Sequence, residues 1–225
     1  SILKTLVTEE NIVIEGKGVD AEPSRNYVHL ILASNDEWVV PAGLDERRFF
    51  VIEMSDGHKQ DHAYFKTIRR DLEAGGFENL LHFLRTYDLS DFEVRKVPQT
   101  KTLREQQTLS LPPVQAYFLD CLRGGNPPEG AEPHASGSGY FVASDALVED
   151  MRHKGRLVAG TKEAAQAKDQ IGKFFSKLGR TLERESTGRR RYGYRWDVIE
   201  LRAAWDAWRG YSEDWPELAE DSCPF

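Results

Sequence analysis

LILASNDEWVVPAGLDERRFFVIEM, residues 30–54, sets two apolar runs on either side of a polar turn: Leu30-Ile31-Leu32-Ala33 and Phe49-Phe50-Val51-Ile52. Apolar runs without alternation are the pattern of core strands in a layered α/β sheet, where both faces are covered. The stretch therefore predicts two sheet strands joined through Pro41-Ala42-Gly43. Ser34, Asn35, Arg47 and Arg48 fall at the strand ends, where ligands bind in open α/β sheets.

Working outward, Ile2, Leu3, Leu6 and Val7 recur at helical spacing, so the chain opens in or near a helix, as a fragment of a larger protein would. Asn11 to Glu15 reads as a strand, Gly16-Lys17-Gly18 as a turn and Tyr27 to Ala33 as its partner strand, a hairpin with Lys17 at the tip. Asp61 to Glu73 has helical periodicity that Gly75-Gly76 stops, and Phe77 to Tyr87 is a second amphipathic helix. From Leu89 to Leu111 the chain is mixed, with Val97-Pro98 as a domain boundary. Pro112-Pro113 opens a helix over 114–122, and residues 124–139 are too rich in Gly, Pro and Ser for anything but a loop.

Ser144 is placed to cap a helix reaching His153, and Ala164 to Leu178 forms another, ended by Gly179. Two β-like runs, 180–185 and 192–198, flank the arginine-rich tip Arg189-Arg190-Arg191. Helix, loop, helix, helix and hairpin is the order of a winged helix-turn-helix domain, in which the third helix enters the major groove and the wing meets phosphates. A final helix over 199–208 packs through Trp205 and Trp208, with Trp196 also expected in the core. The acidic tail, 211–225, is expected to be loose, and no internal repeat is present.

Charge is divided unevenly. The chain has a formal charge of −7, yet residues 151–195 hold thirteen Lys and Arg against four acids, a net of +9, which leaves −16 elsewhere. An acidic body with one basic docking surface fits a nucleic-acid partner. The basic candidates are Lys168, Lys173, Lys177, Arg180, Arg189, Arg190 and Arg191. No apolar run approaches the roughly 18 to 20 residues of a membrane helix, and the first residues lack the plan of a signal peptide, so a cytoplasmic setting is expected. Cys121 and Cys223 have no metal-ligand spacing and read as free thiols. Asp56, His58, Asp61 and His62 fit no established ligand pattern and read as capping residues. No Ser/His/Asp or Cys/His arrangement for covalent catalysis presents itself.

The order LKTLVTEE, IVIEGKGVD and LILASNDEWVVPAGLDERRFFVIEMSD resembles the second half of the superfamily 3 helicase ATPase domain of phage and poxvirus-like primase-helicases. The resemblance implies a partial AAA+-like P-loop α/β domain over 1–105, followed by an α+β winged-helix domain over 106–210 that matches only in pattern. It further implies that Asn35 is the polar sensor facing the ATP γ-phosphate, that Arg47 or Arg48 is the arginine finger acting across a subunit interface, and that Lys17 contacts DNA in the channel of a hexameric ring. An amide suits a sensor because it donates to phosphate and accepts from water without adding charge. A finger stabilises charge on the transferred phosphoryl group.

The chain departs from that family in one respect. The phosphate-binding loop G-x-x-x-x-G-K-[ST] does not occur in it. The expectation is thus the carboxy-terminal half of a phage or prophage replicative helicase in a bacterial host, with ATP and Mg²⁺ bound only in the full-length homo-oligomer. Two alternatives stand beside it: a DNA-binding regulator with a vestigial ATPase half, and an interaction protein that poisons another helicase ring.

Overall fold

The computed structural model describes residues 2–14, 20–93, 96–185 and 190–218. It is a mixed α/β chain with small antiparallel sheets, divided into two compact units, 1–110 and 111–225.

In the first unit, α1 (Ile2–Thr8) leads into an antiparallel hairpin of β1 (Asn11–Ile14) and β2 (Glu22–Arg25), in the register Asn11↔Arg25 to Ile14↔Glu22. The Asn26 amide donates to the carbonyls of Leu6 at 2.9 Å and Glu9 at 2.8 Å, tying the helix to the hairpin. The partner of β1 is therefore not the expected 27–33 run but the polar segment before it. Its Pro23 lacks an N–H and is tolerated in this two-stranded ribbon.

The two apolar runs that predicted a layered sheet do not form strands. Residues 30–33 and 49–52 pair with no strand among the described residues, and Ile31, Leu32, Phe50 and Ile52 are exposed. β-Propensity alone does not make a strand, because the backbone N–H and C=O groups need a neighbour to receive them. α2 (His62–Asp71), capped by Asp61, and α3 (Phe77–Thr86) lie where periodicity placed them, separated by a kink at Gly75. They too bury no residue within the unit. α4 (Lys101–Leu109) was not expected. It holds the small core of Val40, Ala42, Phe49 and Leu103.

The second unit has a larger core. Its elements are α5 (Pro113–Gly124), β3 (Glu132–Pro133), β4 (Tyr140–Ala143), α6 (Ser144–His153), α7 (Lys162–Lys177), β5 (Glu183–Arg184), β6 (Tyr192–Trp196) and α8 (Val198–Arg209). The strands form one antiparallel sheet in the order β3-β4-β6-β5. Phe118 of α5 sits at the centre, edge-on to Phe175 at 5.0 Å between ring centroids and stacked on Trp196 at 5.4 Å. Tyr194 stacks flat on Phe175 at 3.9 Å, which fixes β6 against α7. At Gly193 an added Cβ would lie 2.2 Å from the Val142 carbonyl oxygen, so only glycine lets β6 approach β4 this closely. Trp196 and Trp205 are buried and Trp208 packs partly buried beside them.

Two local expectations change. The cap of α6 is Ala143 rather than Ser144, with no side-chain hydrogen bond. The tail is not loose as far as Leu218: the Trp215 indole donates to Asp206, and the buried Arg202 guanidinium donates to the carbonyls of Leu122 and Pro216 while lying over the Trp215 ring. An arginine with that many acceptors overrides the acidic composition of the segment.

Candidate nucleic-acid interface

α7 presents two different faces. Ala167, Ile171, Phe174 and Phe175 are buried, while Lys162, Gln166, Asp169, Lys173, Ser176 and Lys177 point outward. Thr161 caps its start by accepting from Ala164 N–H. At its end Gly179, with φ of 69°, turns the chain, and the N–H groups of Gly179 and Arg180 return to the carbonyls of Ser176 and Phe175. This Schellman closure leads the chain straight into the β5–β6 hairpin.

The excess of cations in residues 151–195 is largely neutralised in place. Arg152 pairs with Glu149, Lys154 with Asp150, Arg156 with Asp120, Lys168 with Asp145, Lys173 with Asp169, and Arg180 with Glu200. Arg191 is held most firmly, at 2.7 Å from both Glu185 and Glu132, and Glu185 accepts from two of its nitrogens. Its guanidinium lowers the Glu185 carboxyl below the usual carboxylate range. Arg195 reaches Glu200 at 3.6 Å.

Four cations of the segment remain without a partner among the described residues: Lys162 and Lys177 on α7, and Arg184 and Arg190 beside the hairpin. The structure thus separates the expected basic residues into clamped and available ones. Lys173 is intermediate, because an exposed pair four residues apart on a helix is weak and exchanges readily for another anion. Lys17 and Arg189 lie outside the described residues. Lys162 and Arg184 belong to the basic segment but were not among the candidates named from the sequence.

An open groove of about 720 Å³ lies between α6 and α7, with Asp145, Glu149, Arg152 and Lys168 among its lining residues. Its charges cancel, so it offers no anion site.

In the first unit, Asn35 lies in an exposed bend where Ser34 accepts from the Asp36 N–H. Arg47 is exposed and has no partner among the described residues, whereas Arg48 is half-buried and lies 3.5 Å from the buried Glu46. Glu46 also accepts from the N–H groups of Arg47 and Arg48, which shapes the turn. α4 holds the preceding segment through polar contacts: Gln106 accepts from Val39 N–H at 2.7 Å and donates to Glu37 at 2.6 Å, and Ser110 accepts from the Trp38 indole. Residues 1–48 match a family model described as a family of unknown function (DUF5906). No curated protein and no solved structure matches the chain.

Asp61 accepts from Tyr64 N–H and caps α2, while His58 stacks on Tyr64 at 3.7 Å. Among the described residues no group of three or more His, Cys, Asp and Glu is placed to hold a metal, and no helix is long and apolar enough to cross a membrane. Cys121 is buried, which pushes its thiol up and away from reactivity.

Proposed function

We propose that residues 111–218 are a winged-helix nucleic-acid-binding module, and that the chain acts as the carboxy-terminal part of a superfamily 3 DNA helicase of the phage primase-helicase type. The element order carries the reading: α5, β4, α6, α7 and then the β5–β6 hairpin, with the unpaired cations among the described residues of this unit lying on α7 and beside the hairpin. In this arrangement α7 lies in a major groove through its outward face, and the hairpin follows the phosphates.

For the first unit the support is the sequence resemblance over the sensor and finger stretch. Arg47 is the better finger, since Arg48 is engaged with Glu46 while Arg47 is exposed and able to reach a nucleotide on a neighbouring subunit. Asn35, exposed at the end of the apolar run, is the sensor. ATP and Mg²⁺ would be held by residues that this sequence does not contain, in a ring of full-length subunits, so the isolated chain has no ATPase activity. The separate core of the second unit favours one other reading, a stand-alone DNA-binding regulator.

Fluorescence anisotropy of the whole chain with labelled single-stranded and duplex oligonucleotides across a salt series tests the proposal. Binding that weakens steeply with salt is expected. Lys162, Lys177, Arg184 and Arg190 replaced together by Ala should lower the slope by about 0.9 for each lost duplex phosphate contact. Absence of binding at low salt would overturn the nucleic-acid reading.

A further inference from the structure

The hairpin carries an exposed aromatic side chain that the core does not use. Tyr192 opens β6 and is 56% exposed, whereas Tyr194 and Trp196, on the same face of the strand, are buried. Tyr194 packs on Phe175, and Tyr192 therefore projects on the α7 side of the sheet, one pleat nearer the hairpin tip. Its cross-strand partner is Arg184, and directly paired residues share a face with Cβ atoms about 5 Å apart. Arg190 precedes it by two residues. Both arginines are exposed and unpartnered among the described residues, while the next one, Arg191, is locked to Glu132 and Glu185.

The clamp explains why this spot is presented at all. Arg191, with Glu185, joins β3 to the tip-side end of the paired strands, and His134 beside β3 reaches Glu183 of β5 at 3.0 Å. The rungs on either side of the Arg184–Tyr192 pair are thus each tied to β3 or its neighbour His134, and the exposed aromatic stands on a braced support. A rigid aromatic flanked by two uncommitted cations complements a nucleotide whose base is unstacked: the ring takes the base, and the guanidinium groups take the flanking phosphates. Within a duplex the bases stack on one another, so phosphates are offered along its length and a base face only at the two ends.

We infer that Tyr192 is a stacking platform for an unpaired base, and that the ligand of this surface is a single strand or a single-strand/duplex junction. The inference rests on the nucleic-acid reading of the second unit. It assigns to the hairpin a non-electrostatic contact in addition to its phosphate contacts.

The test compares the whole chain with Tyr192→Ala, Tyr192→Phe and Arg184→Ala on an oligo(dT) strand, a tailed duplex and a blunt duplex, each over a salt series. Tyr192→Ala should weaken binding to the strand and the tailed duplex by about tenfold, with the salt slope unchanged, and leave the blunt duplex within about twofold. Tyr192→Phe should restore wild-type affinity. Arg184→Ala should weaken all three ligands and lower the slope on the single strand by about 0.7. Wild-type binding that Tyr192→Ala leaves intact, or weakens equally on the blunt duplex, would overturn the platform while leaving the nucleic-acid reading standing. Failure of the wild-type chain to bind any of the three would overturn both.

Discussion

Asp150 shows how one side chain settles the interior of the second unit. It is 2% exposed, on α6, and accepts from the Tyr117 hydroxyl at 2.7 Å, Lys154 Nζ at 2.8 Å and Glu129 N–H at 3.3 Å. Burial pushes its carboxyl up, but the Lys154 ammonium and the Tyr117 hydroxyl outweigh that and hold it below the usual carboxylate range. A carboxylate depressed in the folded state stabilises the fold above its unfolded pKa, about 3.9, and that contribution fades as pH falls through the folded value. Asp150→Asn should therefore lose about 1–3 kcal/mol in urea unfolding at neutral pH, and the gap to wild type should narrow below about pH 4. Tyr117→Phe, which leaves the other two donors in place, should cost about 1 kcal/mol. An Asp150→Asn deficit that stayed constant from neutral pH to pH 3 would mean that the ionised carboxylate is not the stabilising species.

At the scale of elements, the helices that bury aromatic or aliphatic stripes were legible, and α4 was not. Its inward residues are Leu103 with Gln106 and Gln107, so hydrophobic periodicity has one tooth to detect where it needs three. Its work is done by amides: Gln106 serves the Val39 and Val40 N–H groups and the Glu37 carbonyl, and Gln107 donates to the Leu44 carbonyl. Gln106→Leu would strip the partner from the buried Val40 N–H and the half-buried Val39 N–H, costing about 1–3 kcal/mol. Hydrogen exchange at Val39 and Val40 should accelerate, while exchange in α7 is unchanged; protection retained at Val39 would remove Gln106 as the bracket. The opposite error, reading residues 30–33 and 49–52 as strands, came from apolar content that names a preference but not a neighbour. In the sequence the arginine tip is a charge run, because nothing local says which member finds a carboxylate. Glu132 lies fifty-nine positions from Arg191, and that separation hid the clamp.

Across the whole molecule the two units differ in how much apolar surface they bury. The second gathers Tyr117, Phe118, Phe174, Phe175, Trp196 and Trp205 into one core, whereas the first has Val40, Ala42, Phe49 and Leu103. The first unit leaves Phe50, Phe65, Leu81, Phe83 and Leu84 exposed, on α2, α3 and the apolar runs. Burial of apolar area is the main favourable term in folding, at about 25 cal/mol per Å², so the two cores predict unequal stability. Urea unfolding of the whole chain should then show two transitions. The first, at lower urea, should melt residues 1–110 without changing Trp196 and Trp205 fluorescence. The second should be cooperative, carry that fluorescence change, and abolish the proposed nucleic-acid binding together with it. If both units melted in one transition, the first would be drawing its stability from the second. The proposal of a separate DNA-binding module would then lose its physical basis, because binding would depend on residues 1–110 being folded.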